Sequence, residues 1–452
     1  MSEKTKGGFT SKIGFVLATA GSAVGLGNIW RFPYLAAKHG GGIFLLTYIV
    51  IALTFGLCLM TTELAIGRKT GLSAIGAYEK LNKKFKWIGV LTTVVPFMIT
   101  PYYSVIGGWI CKYTVAFATG QMAATTSDNY FTDFISSSSA PILFFAFFIL
   151  CTAAVLLLGV NDGIEKMSKV MMPTLVVLTL IIVVFIVTRD GALAGVIYFI
   201  KPDFSNFSAT TVLAALGQCF YSMSIAMAIL ITYGSYMPKT TSLTSSSKQV
   251  AAFDFAIAFL AGMMVIPSVF VYSGGDAAAL GKGPGLMFVT LPKVFAEMTG
   301  GTIIGILFFV MVFFAALTSS ISLMEACVSI LGDVLPTSRR TNIIIVTAFC
   351  LVVGALVSLG FGPLSFITIL GMGLLDFFDF ASNSVLMPIV AICTCIFVDY
   401  VIKPKTIIDE VEVTGPYKGK KFYTIMIKYL APLLILGVLL FSIMEALGMI
   451  VV

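Results

Sequence analysis

Six ionisable residues stand in stretches of sequence that are otherwise almost free of charge: Arg31, Glu63, Asp254, Glu325, Asp376 and Asp379. Small oxygen donors stand in the same stretches, namely Asn28, Ser222, Thr318 and Ser319. A charge in the middle of a bilayer costs at least roughly 2.5–3.5 kcal/mol, so such groups pair with one another or line a polar cavity. For Arg31 and Asp376 an interfacial position with a snorkelling side chain is the alternative. Neutral oxygens around a carboxylate suit a hard cation. The alternative for Ser222, Thr318 and Ser319 is a bond back to their own helix. Residues 21–34 read GSAVGLGNIWRFPY. Glycine makes a helix break inexpensive there, and a break frees carbonyls for a cation. The N–H groups and positive end of the next helical piece favour an anion.

Other chemistries have little to work with. The chain holds one histidine, His39, and eight cysteines, all inside or at the ends of apolar stretches and none at metal-ligand spacing. No nucleophile–base pair is apparent, which argues against an enzyme. The segment GKGPG (281–285) lacks the GK[ST] ending and the preceding strand of a phosphate loop, and reads as a turn.

The elements that position these residues follow from composition. Of 452 residues, 58% are hydrophobic and 11% charged, against about 25% charged in soluble domains, and the mean hydropathy is +1.03. Windows of roughly 20 apolar residues fall near 12–37, 42–66, 88–117, 141–159, 168–188, 211–236, 250–272, 301–331, 342–360, 373–399 and 423–449. The expectation is an all-α integral membrane protein of eleven spans, forming one transporter-sized domain over 1–452 with no cleavable leader. Spans one and six both carry polar residues at mid-depth and lie five spans apart, as in an inverted repeat. Close helix packing at Gly21 and Gly25 is the competing reading of the first of them.

Basic residues set the orientation. With the N-terminus in the cytoplasm, 21 of the 28 Lys and Arg fall on the inner side, and an odd number of spans then places the C-terminus outside. The net charge of +7 is thus a topology signal rather than a nucleic-acid footprint. The location expected is the cell membrane.

Several ordered motifs make the reading specific: GSAVGLGNIWRFPY (21–34), GGG (40–42), ELAIGR (63–68), ITPYYSVIGGW (99–109), LGQCFYSMSIAMA (216–228), FFAALTSSIS (313–322) and LDFFDF (375–380). Over nearly its whole length the chain resembles the neurotransmitter:sodium symporter family, and most of all its eleven-span bacterial branch for hydrophobic and aromatic amino acids. The resemblance implies two five-helix repeats of opposite direction (about 10–190 and 210–400) and a further span (about 423–449), with spans one and six broken at mid-membrane. It also implies sodium-coupled import of an amino acid by alternating access. A non-transporting sensor and a sodium channel on the same scaffold are the alternatives. The oligomeric state is open.

Residue by residue, the resemblance implies two Na+ sites. One would use the Ala23 carbonyl, Asn28, Ser222, Asp254 and the substrate carboxylate. The other would use the carbonyls of Gly21, Val24 and Ala315 with the hydroxyls of Thr318 and Ser319. The substrate carboxylate would meet the Leu26 and Gly27 amides and the Tyr103 hydroxyl, and its ammonium the Ala23, Tyr221 and Ser222 carbonyls with Ser222 or Ser224. Ile99, Tyr103, Tyr221, Met227, Ser319 and Leu323 would line the side-chain pocket. Arg31 with Asp379, and Tyr221 with Tyr103, resemble an outer gate; Lys6 with Asp333, and Phe9 beside Tyr236, an inner one. Lysine and phenylalanine replace the family's usual arginine and tryptophan at 6 and 9. Gly163 and Pro173 match a spacing tied in relatives to unwinding, and Glu63 would brace the break in span six. Gly25 stands where monoamine transporters have aspartate, which points to α-amino acids. Asp254 stands where many relatives have asparagine, which points to chloride independence. Ala226 and Ala228 replace glycines of some relatives and should make span six harder to unwind around very large substrates.

Overall fold

The computed structural model describes residues 8–273, 284–447 and 449, and these residues are almost wholly helical. Lys6 and residues 281–283 of the GKGPG segment lie outside them. Ser11 caps the first helix, α1 (Lys12–Ala23), by accepting the Gly14 N–H at 3.0 Å. Val24 then turns extended, and α2 (Gly27–Lys38) departs at 54°. The glycines of GSAVGLGN therefore do break the helix.

Next come α3 (Gly42–Thr70), α4 (Lys83–Ala118), α5 (Ala140–Leu157) and α6 (Val160–Val187). Helix α6 starts eight residues before the expected position at 168. Gly159, at φ +90°, turns the corner from α5, and the polar NDGIEK stretch continues as helix although its hydropathy is low. After α6, α7 (Ala209–Ser222) and α8 (Ile229–Ser235) lie on either side of an unwound segment. The remaining long helices are α9 (Leu243–Ser273), α10 (Gly301–Val334), α11 (Arg339–Leu359) and α12 (Leu374–Ile402). The amphipathic α13 (Pro404–Glu412) leads to α14 (Lys420–Ala446).

Among the described residues, nine helices are long and apolar enough to cross a membrane, and the bent α1–α2 pair makes a tenth. The expected span at 211–236 is not continuous. Its two pieces, of 14 and 7 residues, are each too short to cross alone because residues 223–228 leave the helix. Large apolar side chains such as Leu143, Val170, Ile344 and Leu433 are at least 65% exposed, as lipid-facing residues are. The molecule is an all-helical, multi-span membrane protein.

The core is organised around α10 and α4, which pack on each other, while α1 lies against α9 and α10. Glycines allow the closest approaches. A Cβ on Gly67 would come within 1.9 Å of the Ile231 carbonyl, and one on Gly234 within 2.4 Å of the Leu64 carbonyl. That contact clamps α3 against α8.

Candidate functional site

The two helix breaks meet. Ser22 and Ser224 hydroxyls are 3.0 Å apart, and Ser224 also donates to the Ser22 carbonyl at 3.1 Å. Gln218 donates to the Gly27 carbonyl at 2.9 Å. The α7–α8 break runs through three non-glycine residues in the left-handed region: Ser224 at φ 54°, Ala226 at 63° and Ala228 at 62°. Alanine is the best helix former, and AMA should resist this geometry. It adopts it all the same, because Glu63 on α3 accepts the Ala226 N–H at 2.8 Å where a helical carbonyl would otherwise do so.

One oxygen cluster centres on Asp254, fully buried on α9. Its carboxylate receives Asn28 Nδ2 at 2.8 Å, the Tyr48 hydroxyl at 2.6 Å and the Ser222 hydroxyl. Asn28 in turn accepts the Gly25 N–H at 3.3 Å. A second cluster lies across α1. Ser319 Oγ is 3.2 Å from the carbonyls of Gly21 and Ser22 and 3.5 Å from that of Val24. Thr318 Oγ1 is 3.1 Å from the Ala315 carbonyl. Carbonyl and hydroxyl oxygens dominate both sets, with one carboxylate, and His and Cys are missing from them. Such donors fit a hard alkali cation rather than a transition metal. Among the described residues no group of three His, Cys, Asp or Glu could hold a metal.

Every residue expected around the substrate lines one cavity of about 30 Å³ between these clusters, together with Ser22, Asn28 and Ile229. The Leu26 N–H is 3.5 Å from the Tyr103 hydroxyl. Two glycines keep the chamber open. A Cβ on Gly25 would sit 2.6 Å from Ser319 Oγ, and one on Gly27 would sit 2.6 Å from the Tyr221 ring. Ile99, Met227, Ile229 and Leu323 make the far wall apolar. The arrangement joins a polar half to an apolar half.

The profile of the sodium:neurotransmitter symporter family matches residues 6–141 and 142–449. The chain belongs to this family. It is 34% identical over 448 residues to the sodium-dependent transporter YhdH of Bacillus subtilis, covering 97% of this chain and 98% of that one. To a sodium-dependent transporter of Methanocaldococcus jannaschii it is 35% identical over 408 residues, covering 87% and 81%. The crystal structure of MhsT in complex with L-phenylalanine matches with a TM-score of 0.87 at 34% identity, covering 97% of this chain and all of that one. The protein is a sodium-dependent transporter and not an enzyme.

On one side of this symporter's cavity stand Arg31 and Asp379. The Arg31 guanidinium lies 5.3 Å from the Tyr221 ring centroid. Asp379 accepts from the Tyr102 hydroxyl at 3.0 Å and Asn383 Nδ2 at 2.6 Å. Among the described residues no direct ion pair joins Arg31 and Asp379. Tyr221 and Tyr103 both face the cavity without a hydrogen bond between them.

On the opposite side Phe9 packs edge-on against Tyr233 and Tyr236, with centroids at 5.5 and 6.3 Å, and its N–H donates to the Tyr236 carbonyl at 3.2 Å. Asp333 accepts the Ser73 N–H at 2.7 Å; its expected partner Lys6 lies outside the described residues. Two further knots were not foreseen. Glu325 accepts the Tyr236 hydroxyl at 2.7 Å and Arg339 through both oxygens at 2.8 and 2.6 Å. Glu165 holds the start of α1 through the Thr10 N–H and the Thr10 and Ser11 hydroxyls and also accepts from Lys169 on its own helix, all within 2.8 Å. Gly163, two residues before it, packs where a Cβ would lie 2.1 Å from the Val155 carbonyl, and Pro173 sits inside α6. Tyr48 and Gln218 are the other site residues that sequence reasoning passed over. Of the two, only Gln218, an amide within an apolar run, carries a sequence signal that could have marked it.

Proposed function

We propose that this symporter imports an α-amino acid with a hydrophobic or aromatic side chain, coupled to two Na+ ions and without need of chloride. The observation that carries the reading is the cavity lined by both helix breaks, by Asn28, Ser222 and Ser319 from the two oxygen clusters, and by the apolar wall. The substrate carboxylate would lie at the Leu26 and Gly27 amides and Tyr103, beside a Na+ held by the Ala23 carbonyl, Asn28, Ser222 and Asp254. Its ammonium would face the Ala23, Tyr221 and Ser222 carbonyls and Ser224. The second Na+ would lie among Gly21, Val24, Ala315, Thr318 and Ser319. The likeness to MhsT, whose structure holds L-phenylalanine, supports the side-chain class, and a glycine at 25 leaves no carboxylate to meet a bare amine. Asp254 supplies a fixed negative charge where an anion would otherwise be needed.

Eleven spans follow if α7 and α8 together cross once, with repeats related by inversion about the paired breaks. The concentration of Lys and Arg then places the N-terminus in the cytoplasm and the C-terminus outside. Alternating access would move the two broken helices with α3 and α9 against the rest. Release inward would loosen Phe9 from Tyr236 and unwind α6 near Gly163 and Pro173. Arg31 and Asp379 would close the outer side through their neighbours Tyr221 and Tyr102. A Na+ ion entering down 100 mV gains about 2.3 kcal/mol, and a tenfold gradient adds about 1.4 kcal/mol. Two ions thus supply about 7 kcal/mol, enough for about 10⁵-fold accumulation.

The test is a thermal-shift screen of the twenty amino acids in Na+ and in K+, followed by counterflow in proteoliposomes. Stabilisation by a few apolar amino acids in Na+ alone, with counterflow, is expected. Stabilisation by none in Na+ contradicts the reading. Stabilisation without counterflow favours a sensor.

A further inference from the structure

A second concave space, sharing no lining residue with the transport cavity, lies at the end of the bundle we assign to the cytoplasm. It is a groove of about 310 Å³ between α3, the start of α9 and the segment leading into α14. Its floor is apolar: Leu53, Leu57 and Phe422 line it, with Leu53 57% and Phe422 45% exposed. These are side chains open to the bilayer. Its upper wall is polar and positively charged. Lys248 and Lys418 both line it, and neither has a carboxylate partner among the described residues.

No carboxylate lines the groove. Glu412, which accepts the Tyr417 N–H at 3.1 Å, is already paired with Lys420 at 2.7 Å. Deeper in, Ser247 is 1% exposed and accepts the Thr61 hydroxyl at 3.3 Å. Among the described residues no hydrogen bond uses the Ser247 hydroxyl as donor, and Ser247 lines the groove. The first turns of the 31-residue α9 contribute the positive end of a helix dipole to the same wall.

We propose that this groove binds an anionic glycerophospholipid of the inner leaflet. The phosphate lies between Lys248, Lys418 and the Ser247 hydroxyl, and one acyl chain runs along Leu53, Leu57 and Phe422. Basic pockets between spans at the cytoplasmic face suit anionic head groups, and the apolar floor suits a chain in a way that free phosphate cannot use. The occupant would tie α3, which carries Glu63, to α9, which carries Asp254. The lipid thus braces helices that hold the transport site without touching it.

The test uses the full chain purified in detergent. Binding of dioleoylphosphatidylglycerol, dioleoylphosphatidylcholine and inorganic phosphate is compared by native mass spectrometry and thermal shift. The anionic lipid should bind in preference to the other two. At about fivefold per lysine, Lys248→Gln with Lys418→Gln should weaken it about thirtyfold, whereas Lys83→Gln with Lys84→Gln should leave it unchanged. Independently of those variants, Phe422→Trp fluorescence should be quenched more strongly by brominated phosphatidylglycerol than by brominated phosphatidylcholine. Equal binding of both lipids, reproduction of the shift by phosphate alone, equal losses in the two lysine pairs, or equal quenching would each overturn the proposal. Amino-acid stabilisation in Na+, read on the same samples, reports separately on the transport site.

Discussion

Ala226 is fully buried and left-handed at φ 63°, so replacing it by glycine isolates the energetics of the α7–α8 break. An L-residue in this region is strained by roughly 1–2 kcal/mol relative to right-handed backbone. Glycine relieves that strain but loses about 0.5–1 kcal/mol more conformational freedom on folding, and about 0.8 kcal/mol of methyl burial is forfeited. The terms nearly cancel, so Ala226→Gly should change stability by less than about 0.5 kcal/mol. Ala215, equally buried but inside α7, is the comparison. There the same methyl is lost and the helix is weakened by about 1 kcal/mol, giving about 2 kcal/mol in all. Equilibrium unfolding in mixed detergent–dodecyl sulfate micelles measures both. If Ala226→Gly proves as damaging as Ala215→Gly, the segment is helical in the membrane, and the exposed carbonyls and amides invoked for the site do not exist there.

Other consequences are as direct. Gly25→Ala puts a Cβ 2.6 Å from Ser319 Oγ and 3.1 Å from the Tyr103 hydroxyl, and should abolish amino-acid stabilisation in Na+ while the apo protein still purifies as a monodisperse species. Ser319→Ala removes the hydroxyl that reaches Gly21, Ser22 and Val24. A lost ligand of about 1.5–3 kcal/mol should raise the Na+ concentration for half-maximal uptake about tenfold or more, and an unchanged value would remove Ser319 from the ion site. Glu63→Leu strips the Ala226 N–H of its acceptor, and a buried unpaired donor should lower unfolding free energy by about 1–3 kcal/mol. Replacing chloride by gluconate should leave uptake unchanged. A several-fold fall would show that Asp254 does not supply the needed charge.

Much of this architecture could be read from residue types. Apolar lengths located the long helices, and the glycines and polar residues of GSAVGLGN located the first break, because lipid tolerates such residues only where backbone is meant to be free. The second break was harder to read. Its sequence, SMSIAMA, has good helix formers, and the unwinding depends on partners 163 and 202 residues away, Glu63 and Ser22. Tyr48 escaped notice because a tyrosine in an apolar run signals nothing until Asp254 is placed 2.6 Å from it. Glu165 sits at a low-hydropathy corner that reads as loop yet anchors the start of α1. Tyr102, which donates to Asp379 at 3.0 Å, escaped notice for a related reason: its sequence gives no sign of the carboxylate it meets.

The central claim is that the broken helices hold Na+ and the substrate's charged end side by side, so that each supports the other. Equilibrium binding of the best apolar amino acid, titrated at several Na+ concentrations with ionic strength held by K+, tests it most directly. Substrate affinity should rise steeply with Na+, and substrate should tighten Na+ binding by the same factor, as linkage demands. An affinity that stays constant when K+ replaces all Na+ would contradict it.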